Sequence, residues 1–136
     1  MVRQALTITT DTNVLLRAAV EDDPDQASVA QAWMRDAGIV AITTIALCEF
    51  AWVLRSRYGQ GPGAIASSIR RLTTAENVRV ERESLQSGLA FLDAGGDFAD
   101  GVIAQGGTVL GGATFVSFDQ KAIRIASSLG MSALNP

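Results

Sequence analysis

The sequence contains no histidine, and its 136 residues include one cysteine, Cys48. Without histidine, the chain cannot use Ser-His-Asp or Cys-His catalysis, a histidine acid/base pair or histidine-ligated zinc. A lone cysteine excludes an internal disulfide and a cysteine-rich zinc site, and it weakly favours a reducing compartment. Any hydrolytic chemistry must therefore rest on carboxylates, which together with water favour magnesium or manganese.

The sequence pattern also lacks a targeting segment and a membrane-spanning segment. Residues 1–10 carry one charge and only a short apolar run, unlike a secretory signal peptide. The apolar stretch of residues 39–54 contains Thr43, Thr44 and Glu49, so it falls short of the roughly 18 uncharged residues that a spanning helix needs. We therefore expect a cytoplasmic protein with no membrane partner.

The composition predicts one packed domain over residues 1–136. Hydrophobic residues make up 48% of the chain and charged residues 18%, a balance typical of a globular protein rather than a disordered one. A chain of this length can bury roughly two thirds of its unfolded surface, so it needs no disulfide or zinc for stability.

Four acidic residues stand where the stability of a fold alone would not place them. Asp11 and Asp119 directly follow apolar, strand-like runs, and Glu49 and Asp100 lie within apolar segments. Carboxylates are almost never fully buried unless something pairs with them. If the fold brings these four side chains together, the expected partner is a hard divalent cation.

The net charge of −3 by itself speaks against nucleic acid as a partner. Without the four acids, however, the rest of the chain is slightly positive, and a bound metal would neutralise the acids locally. Basic side chains could then contact phosphates, or they could be ordinary solvated surface residues. The candidates for RNA contact are Arg55, Arg57, Lys121 and Arg124.

Strand-like runs alternate with helical segments along the chain, which predicts a parallel sheet with helices on both faces. Ligands of such sheets bind beyond the carboxyl ends of the strands, where Asp11 and Asp119 stand. The predicted strands are residues 6–10, 39–42, 78–80, 113–118 and 131–134. The predicted helices begin near residues 12, 24, 44, 62, 83, 97 and 119.

Most of the acids also have a purely structural explanation. Asp11 and Asp119 could each cap the helix that follows, and Asp97, which comes after a Gly-Gly pair, is a good helix N-cap. Asp100 at the third position of the same helix is favourable to the helix dipole. None of these four positions requires a function by itself.

Glu49 is harder to explain by helix chemistry because it lies in the middle of a predicted helix. Ile45 precedes it by four residues, and Trp52 and Val53 follow it by three and four, so all share one helix face. An acid on an apolar face needs a partner, either a buried arginine or a metal ion. Neighbouring carboxylates repel one another, and Mg²⁺ or Mn²⁺ would relieve that repulsion and support phosphodiester hydrolysis without histidine.

Four segments run in order over residues 6–125, nearly the whole chain. They are Asp11-Thr12-Asn13-Val14-Leu15-Leu16-Arg17, Glu49 with Trp52-Val53-Leu54 and Tyr58, Asp97-Phe98-Ala99-Asp100 with Ile103-Ala104, and Phe118-Asp119-Gln120-Lys121-Ala122. Together these segments resemble the PIN-domain ribonucleases, and more closely the VapC-type toxins of type II toxin–antitoxin pairs. Gly106-Gly107 departs from the family pattern, because a helix former is expected there.

The resemblance implies a three-layer α/β/α sandwich around a central parallel sheet of about four to five strands. It implies a Mg²⁺ or Mn²⁺ site, cleavage of RNA, a homodimer and inhibition by a cognate antitoxin whose tail enters the site. The metal site would be built from Asp11, Glu49, Asp100 and Asp119. Asp11, Asp100 and Asp119 would hold the metal directly or through water, and Glu49 would ligate or orient the attacking water as its general base. Asp97, Asn13 and Ser117 would be accessory residues.

Two other functions fit parts of the pattern. A phosphoacceptor signalling domain also combines a parallel sheet, acids and magnesium, but it would leave Glu49 unexplained and would want a lysine directly after the last strand. A catalytically silent PIN-like module that only binds RNA or a protein is the second alternative.

Overall fold

The computed structural model describes residues 6–136, which form seven helices and five short strands. Strands and helices alternate broadly as the hydrophobic pattern predicts, and the predicted boundaries agree with the observed ones within two residues. The strands are β1 (Thr7–Thr9), β2 (Ile39–Ala41), β3 (Val78–Arg79), β4 (Thr114–Val116) and β5 (Ser132–Leu134), and the helices are α1 (Thr12–Ala19), α2 (Pro24–Asp36), α3 (Thr44–Ser56), α4 (Pro62–Thr73), α5 (Arg82–Asp93), α6 (Phe98–Val109) and α7 (Gln120–Ser128).

All strand pairings among the described residues are parallel, as the alternating pattern predicts. The strands β1, β2 and β3 form one sheet in that order, and β4 pairs with β5 in a second ladder. The helices connect successive strands, so the chain has the predicted three-layer α/β/α architecture. The prediction of one central sheet of four to five strands differs in one respect, because no ladder joins β1 to β4.

The two ladders have separate hydrophobic clusters. The larger cluster packs α1, α3 and α4 around β2, with Val40, Phe50, Leu54 and Ile69 fully buried. The smaller cluster joins Ile125 and Ala126 of α7 to Phe91 and Ala104 of helices α5 and α6. Phe115 of β4 and Ala133 of β5 pack against this smaller cluster, so the second ladder rests on a core to which α7 contributes as well as α5 and α6.

Local capping chemistry fixes most helix starts at the predicted residues. The carboxylate of Asp23 accepts a hydrogen bond from the Gln26 amide, with Pro24 at the first helical position. Thr43 caps α3 in the same way, so the helix that carries Glu49 begins where the sequence indicates.

Helices α5 and α6 cross at very close range, and this contact positions the acidic start of α6. Gly88 lies under the ring of Phe98, and Gly101 lies against the backbone of Ser87. A Cβ atom on Gly101 would be 2.8 Å from the Ser87 carbonyl carbon and 2.9 Å from the Gly88 Cα atom. The pair Gly106-Gly107 has more room, and α6 continues through it to Val109.

The helices within residues 6–136 are all too short or too polar to cross a membrane.

Candidate active site

Three of the predicted acids line one cavity of about 210 Å³. Asp97 and Asp100 come from the start of α6, and Asp119 comes from the start of α7. The end of α3 contributes Arg55, and the first turn of α7 contributes Lys121. The cavity therefore collects negative charge at two helix N-termini and borders it with two basic side chains.

Asp119 is held in place by the helix that it caps. Its Oδ1 atom accepts hydrogen bonds from the amides of Lys121 at 2.9 Å and Ala122 at 3.2 Å. The amide of Asp119 in turn donates to the Ser117 hydroxyl oxygen at 3.0 Å. The structural explanation of Asp119 as a cap is thus confirmed, and its Oδ2 atom remains available to a ligand in the cavity.

Asp97 occupies the N-cap position of α6 but does not cap it, so the expectation of a capping side chain is wrong here. Both of its carboxylate oxygens accept from the Arg55 guanidinium instead, with Nη1 at 2.6 Å from Oδ1 and 2.7 Å from Oδ2. A charged donor competes successfully with a neutral backbone amide for the same carboxylate.

Asp100 is half-buried, and its carboxylate accepts no hydrogen bond from any residue in the described range. Burial raises the pKa of Asp100, and the nearby charges of Asp97 and Asp119 raise it further, against a smaller opposing effect of Arg55. Asp100 has no hydrogen-bond donor among the described residues and is repelled by two carboxylates, so the cavity suits a hard divalent cation such as Mg²⁺ or Mn²⁺.

Asp11 and Glu49 form a second group, outside the residues that line the cavity. The Oδ1 atom of Asp11 accepts from the Val14 amide at 3.0 Å, which confirms Asp11 as the cap of α1. The Thr12 hydroxyl donates to Oε2 of Glu49 at 2.9 Å. The first turn of α1 therefore links these two acids to each other rather than to Asp100.

The interpretation of Glu49 as an acid inside the core is wrong. Glu49 is exposed, and its helix neighbours Ile45 and Trp52 are 75% and 68% exposed. Helical periodicity correctly places the three residues on one face, but that face of α3 points to solvent in the single chain. Its partner is the Thr12 hydroxyl, so the alternative of a buried arginine is also wrong.

Across residues 6–136, no three acidic side chains converge tightly enough to bind a metal ion as they stand. Asp11 follows β1 and Asp119 follows β4, and these two described strands are not paired in a ladder. The four acids therefore divide between the cavity and the start of α1.

The accessory and basic candidates divide in the same way. Asn13 lies with Asp11 along a second, wider cavity of about 700 Å³ between α1 and α2, and Ser117 supports Asp119. Arg55 and Lys121 line the acidic cavity. Arg57 and Arg124 are exposed and lie outside its lining.

Two polar groups of the site carried no sequence signal. Gln60 lines the acidic cavity, and its Oε1 atom is buried without a hydrogen-bond partner among residues 6–136. The Oγ1 atom of Thr10, next to Asp11, is also buried and has no partner in that range. Gln60 sits in a glycine-rich loop whose composition indicates a turn, so only the three-dimensional structure reveals its position.

A histidine-free α/β/α fold with carboxylates at its helix N-termini defines a protein suited to carboxylate-based hydrolysis. The PIN domain family model matches residues 8–127, which contain all four acids and Asp97, and the chain belongs to this family. PIN domains are generally nucleases, and the family generally uses divalent metal ions. No curated protein shows significant similarity to the chain.

Proposed function

We propose that this chain is a Mg²⁺- or Mn²⁺-dependent endoribonuclease and the toxin of a toxin–antitoxin pair. Beyond the family, one observation carries the nuclease proposal. A half-buried carboxylate, Asp100, stands in a cavity with Asp97 and Asp119 and accepts no hydrogen bond from the described residues. A cation would relieve the repulsion among these carboxylates, and histidine-based catalysis is impossible in this chain.

The residues around the cavity have distinct tasks in this proposal. Asp100 and the free oxygen of Asp119 would hold the cation. When bound, the cation lowers the pKa of a coordinated water and stabilises the charge that develops on the phosphoryl oxygen. The amides of α7 fix the orientation of Asp119, and Lys121 at the rim supplies positive charge for the RNA backbone.

Asp11 and Glu49 complete the proposed machinery from the start of α1. Asp11 would add a carboxylate oxygen to the cation, and Glu49, oriented by the Thr12 hydroxyl, would orient the attacking water or accept its proton. This role requires the two groups of acids to approach each other when cation and RNA bind. Asn13 and Ser117 would support the carboxylates beside them.

The test is cleavage of total cellular RNA by purified, antitoxin-free protein with Mn²⁺. Asp100→Asn and Asp11→Asn should each reduce cleavage by at least about 100-fold, or about 2.7 kcal/mol of transition-state stabilisation. Glu76→Gln is the matched control, because Glu76 is an exposed acid outside both groups. Undiminished cleavage by either Asn variant, with a native circular dichroism spectrum, would refute the assignment.

The exposed face of α3 supports the proposal of a homodimer. Ile45 and Trp52 leave apolar surface open on both sides of Glu49, and such surface commonly marks a protein–protein contact. We propose that a second copy of the chain covers it. The cognate antitoxin would bind near the acids, its tail entering the site, and the pair would act in the cytoplasm.

The separation of the acids favours one competing function, a catalytically silent module that binds RNA without cutting it. Retained RNA binding with no cleavage of any cellular RNA in Mn²⁺ would establish that alternative.

A further inference from the structure

The ion pair between Arg55 and Asp97 takes up a carboxylate that could otherwise cap helix α6. Asp97 stands at the N-cap of α6, where its carboxylate could accept a backbone amide, yet both oxygens face Nη1 of Arg55. Arg55 reaches it from the end of α3, 42 residues away in sequence. The chain thus places a cation of its own inside the acidic cavity.

The three acids of the cavity differ in how many carboxylate oxygens they leave open to a cation. Arg55 occupies both oxygens of Asp97, and the α7 amides occupy one oxygen of Asp119. The Asp100 carboxylate and the second Asp119 oxygen accept no hydrogen bond from the described residues. A cation entering the cavity therefore finds its open donors on Asp100 and Asp119.

We propose that Arg55 is a positioning residue that withholds Asp97 from the metal, so that the cavity binds one divalent cation rather than two. The inference rests on the proposed metal-dependent function. Before RNA binds and brings Asp11 and Glu49 closer, the three carboxylates of the cavity are balanced by one guanidinium and one divalent cation, so a second divalent cation would meet an excess of positive charge. Lys121 at the rim increases that excess.

The pair is partly open to water, with 61% of the Arg55 side chain and 43% of the Asp97 side chain exposed. Solvent weakens such a pair, so its effect on metal binding should be moderate. Removing the guanidinium should strengthen Mn²⁺ binding roughly tenfold or allow a second ion to bind. The reason is that a nearby unit charge acts twice as strongly on a divalent ion as on a monovalent ion.

The experiment is a titration of the purified chain with Mn²⁺ in the absence of RNA. Calorimetry and the electron paramagnetic resonance signal of free Mn²⁺ measure the affinity and the number of bound ions. The wild-type chain should bind one ion. Asp97→Asn leaves the Arg55 charge unbalanced beside the site, so this variant should bind one ion about tenfold more weakly. Arg55→Gln should gain a second ion or bind about tenfold more tightly, and Arg55→Gln with Asp97→Asn should return to one ion. Arg55→Lys keeps the charge and should preserve the wild-type stoichiometry.

Arg57→Gln is the control, because Arg57 lies just beyond α3 and forms no ion pair with the described residues. It should bind Mn²⁺ like the wild-type chain. Two ions bound by the wild-type chain, or unchanged binding in Arg55→Gln, would overturn the role given to Arg55 while leaving metal dependence intact. A wild-type chain that binds no Mn²⁺ would overturn both proposals.

Discussion

Gly101→Ala should strongly destabilise the protein, because the contact between α5 and α6 has no space for one more methyl group. The new Cβ atom would lie 2.8 Å from the Ser87 carbonyl carbon and 2.9 Å from the Gly88 Cα atom, both in rigid backbone. Ordinary carbon contacts lie at about 3.5 Å or more. The two helices must therefore separate by several tenths of an ångström, and the packing of Phe98 against Gly88 would loosen with them.

The expected loss of unfolding free energy is about 2–4 kcal/mol, from overpacking at a site that cannot yield. For a chain of this size, that loss should lower the melting temperature by roughly 6–15 °C. Urea unfolding followed by far-ultraviolet circular dichroism measures it directly. Because Asp100 is the neighbouring residue, Mn²⁺ affinity should also fall in the variant that remains folded.

Gly106→Ala provides the matched control on the same helix. No atom lies within 4 Å of the Cβ position there, and alanine favours helix over glycine by about 0.5–1 kcal/mol. The control should therefore be slightly stabilised. A Gly101→Ala protein as stable as the wild type would show that the two helices do not pack as closely as described.

Three further outcomes follow from the charges and exposed surfaces. The folded state raises the pKa of Asp100, so in the metal-free protein the contribution of Asp100 to stability should rise as pH falls from neutral through that folded-state pKa. Asp100→Asn should lack this contribution and be more stable than the wild type at pH 7. Urea unfolding across pH measures both effects, and a destabilised Asn variant would contradict the reasoning. Ile45→Asp with Trp52→Asp should convert a dimer to a monomer in light scattering, whereas Leu110→Asp, at another exposed apolar residue, should not. Burial raises the pKa of the Cys48 thiol, so iodoacetamide should modify it more slowly than a free thiol at pH 8; equal rates would refute its protected position.

Local sequence signals predicted the features that depend on neighbouring residues. The caps at Asp11, Asp23 and Asp119 each involve a bond to a residue two or three positions along the chain, so the sequence pattern contains both partners. The same locality explains why strands and helices follow the hydrophobic pattern closely, and why the PIN resemblance is confirmed over residues 8–127. The toxin role stays a prediction.

The errors arose where a distant residue or the solvent decided the outcome. Arg55 draws Asp97 away from its cap across 42 residues, a competition that no local pattern contains. Periodicity put Glu49 on an apolar face, but it cannot distinguish a face buried in the same chain from one that stays open. Strand pairing between β1 and β4 is likewise a contact between residues more than 100 positions apart, which a local pattern does not contain.

The caps formed by Asp11 and Asp119 have a consequence for mutagenesis and for evolution. Each side chain starts a helix with one oxygen, and in the proposed function its other oxygen binds the cation, so each residue is under two selective pressures. Alanine at either position would remove the cap, at about 1 kcal/mol, together with the ligand, and would mix the two losses. Asparagine caps as well as aspartate, so an inactive descendant of this chain could drift to Asn at both positions and keep its fold.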